Sequence, residues 1–99
     1  MKTQANTKIL LIEKEYVANL HFPPQEVLHD EQTLEERRTT LFKATSLGNL
    51  EHRKVWITFE DEEGLKQINT TIWAVSNKKV ILKGGRLLPA HRIHSVKIV

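Results

Sequence analysis

From His52 onward the apolar residues recur at every second position, and this period of two constrains the fold more than any other feature of the chain. Val55, Ile57 and Phe59 alternate with Trp56, Thr58 and Glu60, the pattern of a strand with one buried face. Turn chemistry then interrupts the chain at short intervals. Asp61-Glu62-Glu63-Gly64, Ser76-Asn77-Lys78 and Lys83-Gly84-Gly85-Arg86 are each built from turn-forming residues, and Gly84-Gly85 suits a tight hairpin. Between the turns lie Leu65 to Val75, rich in β-branched residues, then Val80 to Lys83, Leu87 to Pro89 and Ser95 to Val99. Five short antiparallel strands at this spacing predict a small β-barrel over 51–99.

The first half reads differently. Residues 1–7 are polar and read as a frayed tail. In Lys8 to Phe22, the apolar run Ile9 to Ile12 is followed by Glu13-Lys14-Glu15 and a second apolar set, Tyr16, Val17, Leu20 and Phe22. Two short strands fit this segment, and so does one helix from Lys8 to Leu20. Pro23-Pro24 ends either one. A helix is predicted next, with Pro24 and Gln25 to His29 as one possible start and the capping-box form Thr33-Leu34-Glu35-Glu36 as a cleaner one. Leu34, Leu41 and Phe42 would share its apolar face, with Glu35, Glu36, Arg37 and Arg38 toward water, and Gly48-Asn49 would stop it. The 99 residues suit one domain: an N-terminal strand/helix segment over 8–50, then the barrel, an α+β class that is mainly β.

Composition closes off several functions. There is no cysteine, so disulfides, cysteine metal sites and thiol nucleophiles are excluded. The longest N-terminal apolar run is too short for a signal peptide or a membrane span, which predicts a cytoplasmic protein. Ser46, Ser76 and Ser95 lack nucleophile-elbow glycines, and no constellation of nucleophile, base and oxyanion donors can be assembled, so the expectation is a non-enzyme with no cofactor. Lys83-Gly84-Gly85-Arg86 lacks the spacing of a phosphate loop. His91 and His94 would bind a metal only if both rings shared a side with a third ligand such as His52 or Glu51, and no metal site is expected.

The charge is segregated. Residues 1–51 hold six Lys/Arg and eight Asp/Glu, whereas Leu65 to Val99 hold seven Lys/Arg and no acidic residue. This asymmetry can mark an anion-binding face, although alternate strand positions filled with solvated lysine would give the same count. Trp56 and Trp73 are candidates for stacking bases, set against a simpler role as core or interface filler. Lys78, Lys79, Lys83, Arg86 and Arg92 are candidate phosphate contacts, the arginines being the more directional, against a role as a solvated hairpin edge.

A helix followed by five strands, the last two joined by a very short turn, resembles the Sm-like and SH3-like barrels. More specifically, Val80-Ile81-Leu82-Lys83 followed by Leu88-Pro89-Ala90-His91-Arg92-Ile93-His94-Ser95-Val96 is similar to the second Sm motif of the bacterial Sm-like RNA chaperone family. The resemblance covers the last 45 or so residues. It implies that His91 matches the family's pore-lining RNA contact. Ala90 stands where the family has lysine, and Leu65 to Val75 lacks the family's strand glycine. The chain is also similar to small bacterial families to which no function attaches.

The expected function is a binding module for single-stranded RNA on a basic β-face, with Trp73, Lys78, Lys79, Lys83, Arg86, His91 and Arg92 as contacts. The alternative is a protein-interaction or assembly module in which tryptophans and strand edges build an oligomer.

Overall fold

The computed structural model describes residues 8–76 and 78–99. The expected frayed tail at 1–7 and the centre of the turn at Asn77 lie outside the described residues.

The order of elements is β1 (Leu10–Leu11), a 3-10 helix (Lys14–Asn19), α1 (Glu31–Glu51), β2 (Val55–Asp61), β3 (Gly64–Thr70), β4 (Ile72–Ser76), β5 (Lys79–Leu82), β6 (Leu87–Pro89), a 3-10 turn (Ala90–Arg92) and β7 (Ile93–Ile98). The protein is α+β and mostly strand, with one long helix and two sheets, ordered β1-β3-β2-β7 and β4-β5-β6. Among the described residues no helix is long and apolar enough to cross a membrane.

The period of two has the structural meaning expected of it. Val55, Ile57 and Phe59 are fully buried, while Trp56, Thr58 and Glu60 face the other way and are half-buried. Ile68, Ile72, Val80, Leu82, Leu88 and Ile93 complete one core that both sheets share with Val17, Leu41 and Ala44. The long strand expected from Leu65 to Val75 is divided at Thr71. There the chain leaves the first sheet and enters the second, and the Thr71 carbonyl accepts from the Lys83 N–H at 2.9 Å. The last strand begins two residues earlier than expected, at Ile93.

Lys8 to Phe22 forms neither two strands nor one helix. Leu10 and Leu11 pair in parallel with Lys66 and Gln67 of β3, and the charged step opens a 3-10 helix that buries Val17. No helix starts at Pro24. Residues 21–27 instead form a strap: the His21 carbonyl accepts from Glu62 N–H at 2.9 Å, and Val27 N–H donates to the His91 carbonyl at 3.0 Å.

The cap of α1 lies three residues before the expected one. Asp30 is extended and its carboxylate accepts from Thr33 N–H at 3.0 Å, so Thr33 receives the cap instead of supplying it. The helix also runs past Gly48-Asn49, ending where His52 adopts the left-handed conformation at φ 56° and donates its N–H to the Gly48 carbonyl at 3.1 Å. Its packed face is Arg37, Leu41, Ala44 and Gly48 and not the Leu34–Leu41–Phe42 face, for Phe42 is 76% exposed. Two small residues on that face let the helix lie close against β4 and β7 and so bridge the two sheets.

Candidate functional site

The seven cations of the acid-free stretch separate into two groups. Lys66 and Arg92 are buried; Lys78, Lys79, Lys83 and Lys97 are exposed, and Arg86 is half-buried. Lys78, Lys79, Lys83 and Arg86 all belong to the second sheet or its turns. Lys79 opens β5, Lys83 begins the turn that follows it, and Arg86 follows Gly84-Gly85. Four residues of strand place Lys79 and Lys83 about 13 Å apart along β5. Gly84 and Gly85 have φ of 89° and 86°, so the turn needs residues without a Cβ.

Trp73 lies in β4 of the same sheet, 46% exposed, at a register shift opposite β5. Its carbonyl accepts from the Asn49 side-chain amide at 3.0 Å, which fixes the strand to the C-terminal turn of α1. Ala74, Ile81 and Leu87 form a cross-strand row on this sheet, and Leu87 is 51% exposed.

Beside β6, a cleft of about 540 Å³ separates the second sheet from the 3-10 helix at Lys14–Asn19. Val17, Leu20, Phe22 and Leu87 give it an apolar floor, and Lys79 and Arg86 contribute its cations. Glu15 approaches from the 3-10 helix. Its carboxyl is held below the ordinary range first by a backbone hydrogen bond, then by Lys14, with a smaller contribution from the Arg86 charge. Lys78 lines a separate cleft of about 610 Å³ with Arg38 and His91.

Two expected contacts do not fit the role. Arg92 is 5% exposed, and its guanidinium donates to the Glu60 carbonyl at 2.9 Å and to the Gln25 carbonyl at 2.7 Å. A cation committed in this way holds the strap to β2 and has no fork left for a phosphate. His91 is half-buried, and its Nε2 donates to the Pro23 carbonyl at 3.2 Å. His94 donates to the Glu60 carboxylate at 2.8 Å, so the two histidines serve different partners. Among the described residues no group of three His, Cys, Asp or Glu side chains is placed to hold a metal.

The strap carries a further ion pair. Both Arg37 terminal nitrogens donate to the Glu26 carboxylate at 2.7 Å, and one also reaches the Ile93 carbonyl at 2.9 Å. The Arg37 hydrogen bond, helped by the Leu28 N–H, pulls the Glu26 carboxyl from an ordinary 4.5 to about 2 despite some burial. A depressed folded value means that the pair stabilises the fold above pH 4.5 and loses that contribution as pH falls toward about 2. Glu26→Gln is therefore expected to melt below the parent protein at pH 6 and to converge with it near pH 2. Thermal melts at the two pH values check this; an offset that persists at the lower pH would remove the charge from the explanation.

The sequence reading missed Asp61 and Lys66, a buried ion pair inside what reads as a surface turn, and it missed Lys54 and Lys97, which flank Trp56. Compared with protein families, curated proteins and solved structures, the chain matches none.

Proposed function

We propose that the protein is a small binding module for single-stranded nucleic acid, RNA in particular, and that it binds through the cationic turns and edge of the second sheet. One juxtaposition carries this reading: Lys78, Lys79, Lys83 and Arg86 leave a single three-stranded sheet that also exposes Trp73, within a stretch free of acidic residues. Cations spaced along a strand suit a phosphate backbone, and an exposed indole beside them suits a base, since every base has a face to stack. Arg92 and His91 act on this surface only indirectly, by holding the strap.

The same reading extends to the architecture. If Leu65 to Val75 is taken as one strand bent at Thr71, the order becomes a helix and five strands with a 3-10 turn before the last. That order supports a small barrel of the Sm-like or SH3-like kind, with the two sheets as its halves. The Lys83–Thr71 hydrogen bond at the bend supports it further.

The test is fluorescence anisotropy of a labelled 12-nucleotide oligouridylate at 25 and 150 mM salt. Four phosphate contacts on a single strand give a slope of about −2.8 in log affinity against log salt, so binding is expected to weaken about 150-fold between the two conditions. Reversing Lys83 and Arg86 to glutamate should abolish it. No binding at micromolar protein in 25 mM salt overturns the reading.

A second reading, an assembly module, is favoured by Phe42 and Leu50, 76% and 81% exposed on the outer side of α1. An apolar interface would give a salt-insensitive oligomer in sedimentation, and RNA-independent assembly would move the weight to this reading.

A further inference from the structure

The first sheet carries a half-buried tryptophan on its outward face. β2 lies inside the order β1-β3-β2-β7, and its outward residues are Trp56, Thr58 and Glu60. Pairing sets Lys97 of β7 on one side of Trp56 and Asn69 of β3 on the other, and the next row is Ser95, Thr58 and Gln67. Directly opposed side chains lie about 5 Å apart, so the indole has an ammonium and an amide as its immediate neighbours and no apolar cross-strand partner.

The surroundings have the chemistry of a ligand site. Trp56, Asn69, Lys54 and Lys14 line a depression of about 300 Å³ with the apolar Leu11 and Ile12, and Glu13 is its one carboxylate. Lys14 is engaged with Glu15 at 3.2 Å. Lys54 and Lys97 are exposed, and among the described residues neither has an acidic side chain within ion-pair distance. The Asn69 amide donates to the Val55 carbonyl at 3.2 Å, which orients the side chain and leaves its oxygen free to accept. The site thus combines a flat aromatic surface, two cations beside it, Lys97 across the strand pair and Lys54 two residues before it in the chain, and one hydrogen-bond acceptor at its rim.

We infer that the outer face of the first sheet is a second contact for single-stranded nucleic acid, in which a base stacks on Trp56, phosphates lie against Lys54 and Lys97, and the Asn69 oxygen accepts from a base N–H, such as the imide N–H of uracil. The charge of the two lysines selects an anionic ligand, and the indole beside them selects one with a planar group, a combination that a nucleotide strand meets. The inference rests on the nucleic-acid reading above but uses the other sheet, so the two can fail separately.

Two single-tryptophan variants test it. Trp73→Phe leaves Trp56 as the only reporter, and Trp56→Phe leaves Trp73; far-UV circular dichroism checks that each is folded. Both are titrated with oligouridylate at 25 mM salt. Emission of Trp56 in Trp73→Phe is expected to quench to saturation. With this second contact the unaltered protein makes about six phosphate contacts and its slope steepens to about −4.2; Lys54→Glu with Lys97→Glu should return it to the value of about −2.8 set by the second sheet alone. Trp56→Ala should weaken binding roughly 5- to 150-fold, the range of one stacked base. If Trp73 is quenched and Trp56 is not, the second contact is overturned and the nucleic-acid function stands. If neither responds, both fall.

Discussion

Gly48→Ala is expected to lower the unfolding free energy by about 2 kcal/mol, even though alanine is the better residue in a helix interior by about 1 kcal/mol. The opposition of these two effects makes the experiment decisive. Gly48 lies within α1, three residues before its end, on the face that bears on β4. A Cβ there would intrude on the Ile72 carbonyl oxygen and meet the Thr71 Cγ2 at 3.0 Å. The first of these neighbours is backbone and cannot rotate away. Relief must come from moving the helix off the strand, which loosens Leu41 and Ala44 against the core. Ser46→Ala, at an exposed position of the same helix, supplies the control, since there the propensity gain acts alone. Urea unfolding followed by circular dichroism gives both values. A Gly48→Ala protein as stable as the parent would mean that α1 does not approach β4 so closely. In a Trp56→Phe background, displacement of β4 should also shift the Trp73 emission, because the Asn49 amide ties the Trp73 carbonyl to the same turn of the helix.

Gly48 also shows why the helix was only partly legible. Its existence could be read from the capping-box pattern at Thr33-Leu34-Glu35-Glu36, which falls in its first turns, and from the change of period after it. Its orientation could not, because the buried face is Arg37, Leu41, Ala44 and Gly48, of which only Leu41 announces burial. Small residues at a close crossing look neutral in a hydropathy pattern, and glycine looks like a stop. Arg37 is read as a wet residue, yet its side chain is 10% exposed, because Glu26 and the Ile93 carbonyl satisfy it. Arg92 misleads in the same way. Charge predicts exposure only when no buried acceptor is available, and the strap at 21–27, which has no periodicity of its own, supplies one for each arginine, the Glu26 carboxylate and the Gln25 carbonyl.

The strands were far more legible, since alternation specifies which side chains turn inward whatever the pairing. The division at Thr71 was not, because β-branched residues run through it without interruption; a tertiary hydrogen bond from Lys83 marks the place. For the candidate surface, composition exposed the acid-free stretch but could not say which of its cations reach water. The pairing register does so: it separates the Lys79–Arg86 group from Lys97 and puts a tryptophan near each. The two sheets thus come to present similar chemistry on different faces, which a linear reading sees as one basic segment.

Asp61→Ala is expected to destabilise the protein by about 3–5 kcal/mol, more than any surface substitution in the cationic group, because it leaves the buried Lys66 charge with only the exposed Glu63 carboxylate, 3.9 Å away, as a partner. The side chains of Asp61 and Lys66 are 2% and 7% exposed, and Lys66 Nζ stands 2.9 Å from Asp61 Oδ1. That oxygen also accepts from Glu63 N–H at 2.9 Å and Gly64 N–H at 3.1 Å, so one carboxylate organises the whole β2–β3 turn. The period, carried past Phe59 into what reads as a turn, marks the pair: two residues beyond Phe59 is Asp61, and two before Ile68 is Lys66, each on the inward face. Burial pushes the Asp61 carboxyl up, but the Lys66 hydrogen bond and charge, with the two backbone donors, more than offset it and hold the group below its ordinary range. The pair therefore stabilises the fold above the unfolded value of about 3.9, and that contribution is lost as pH falls through the lower folded value. Lys66→Met should be milder, about 1–2 kcal/mol, since the remaining carboxylate keeps both turn N–H groups and the methionine fills much of the vacated space. Urea unfolding of the two variants at pH 7 measures the difference. Equal losses would mean that the attraction between the charges, and not the turn that Asp61 organises, dominates the site.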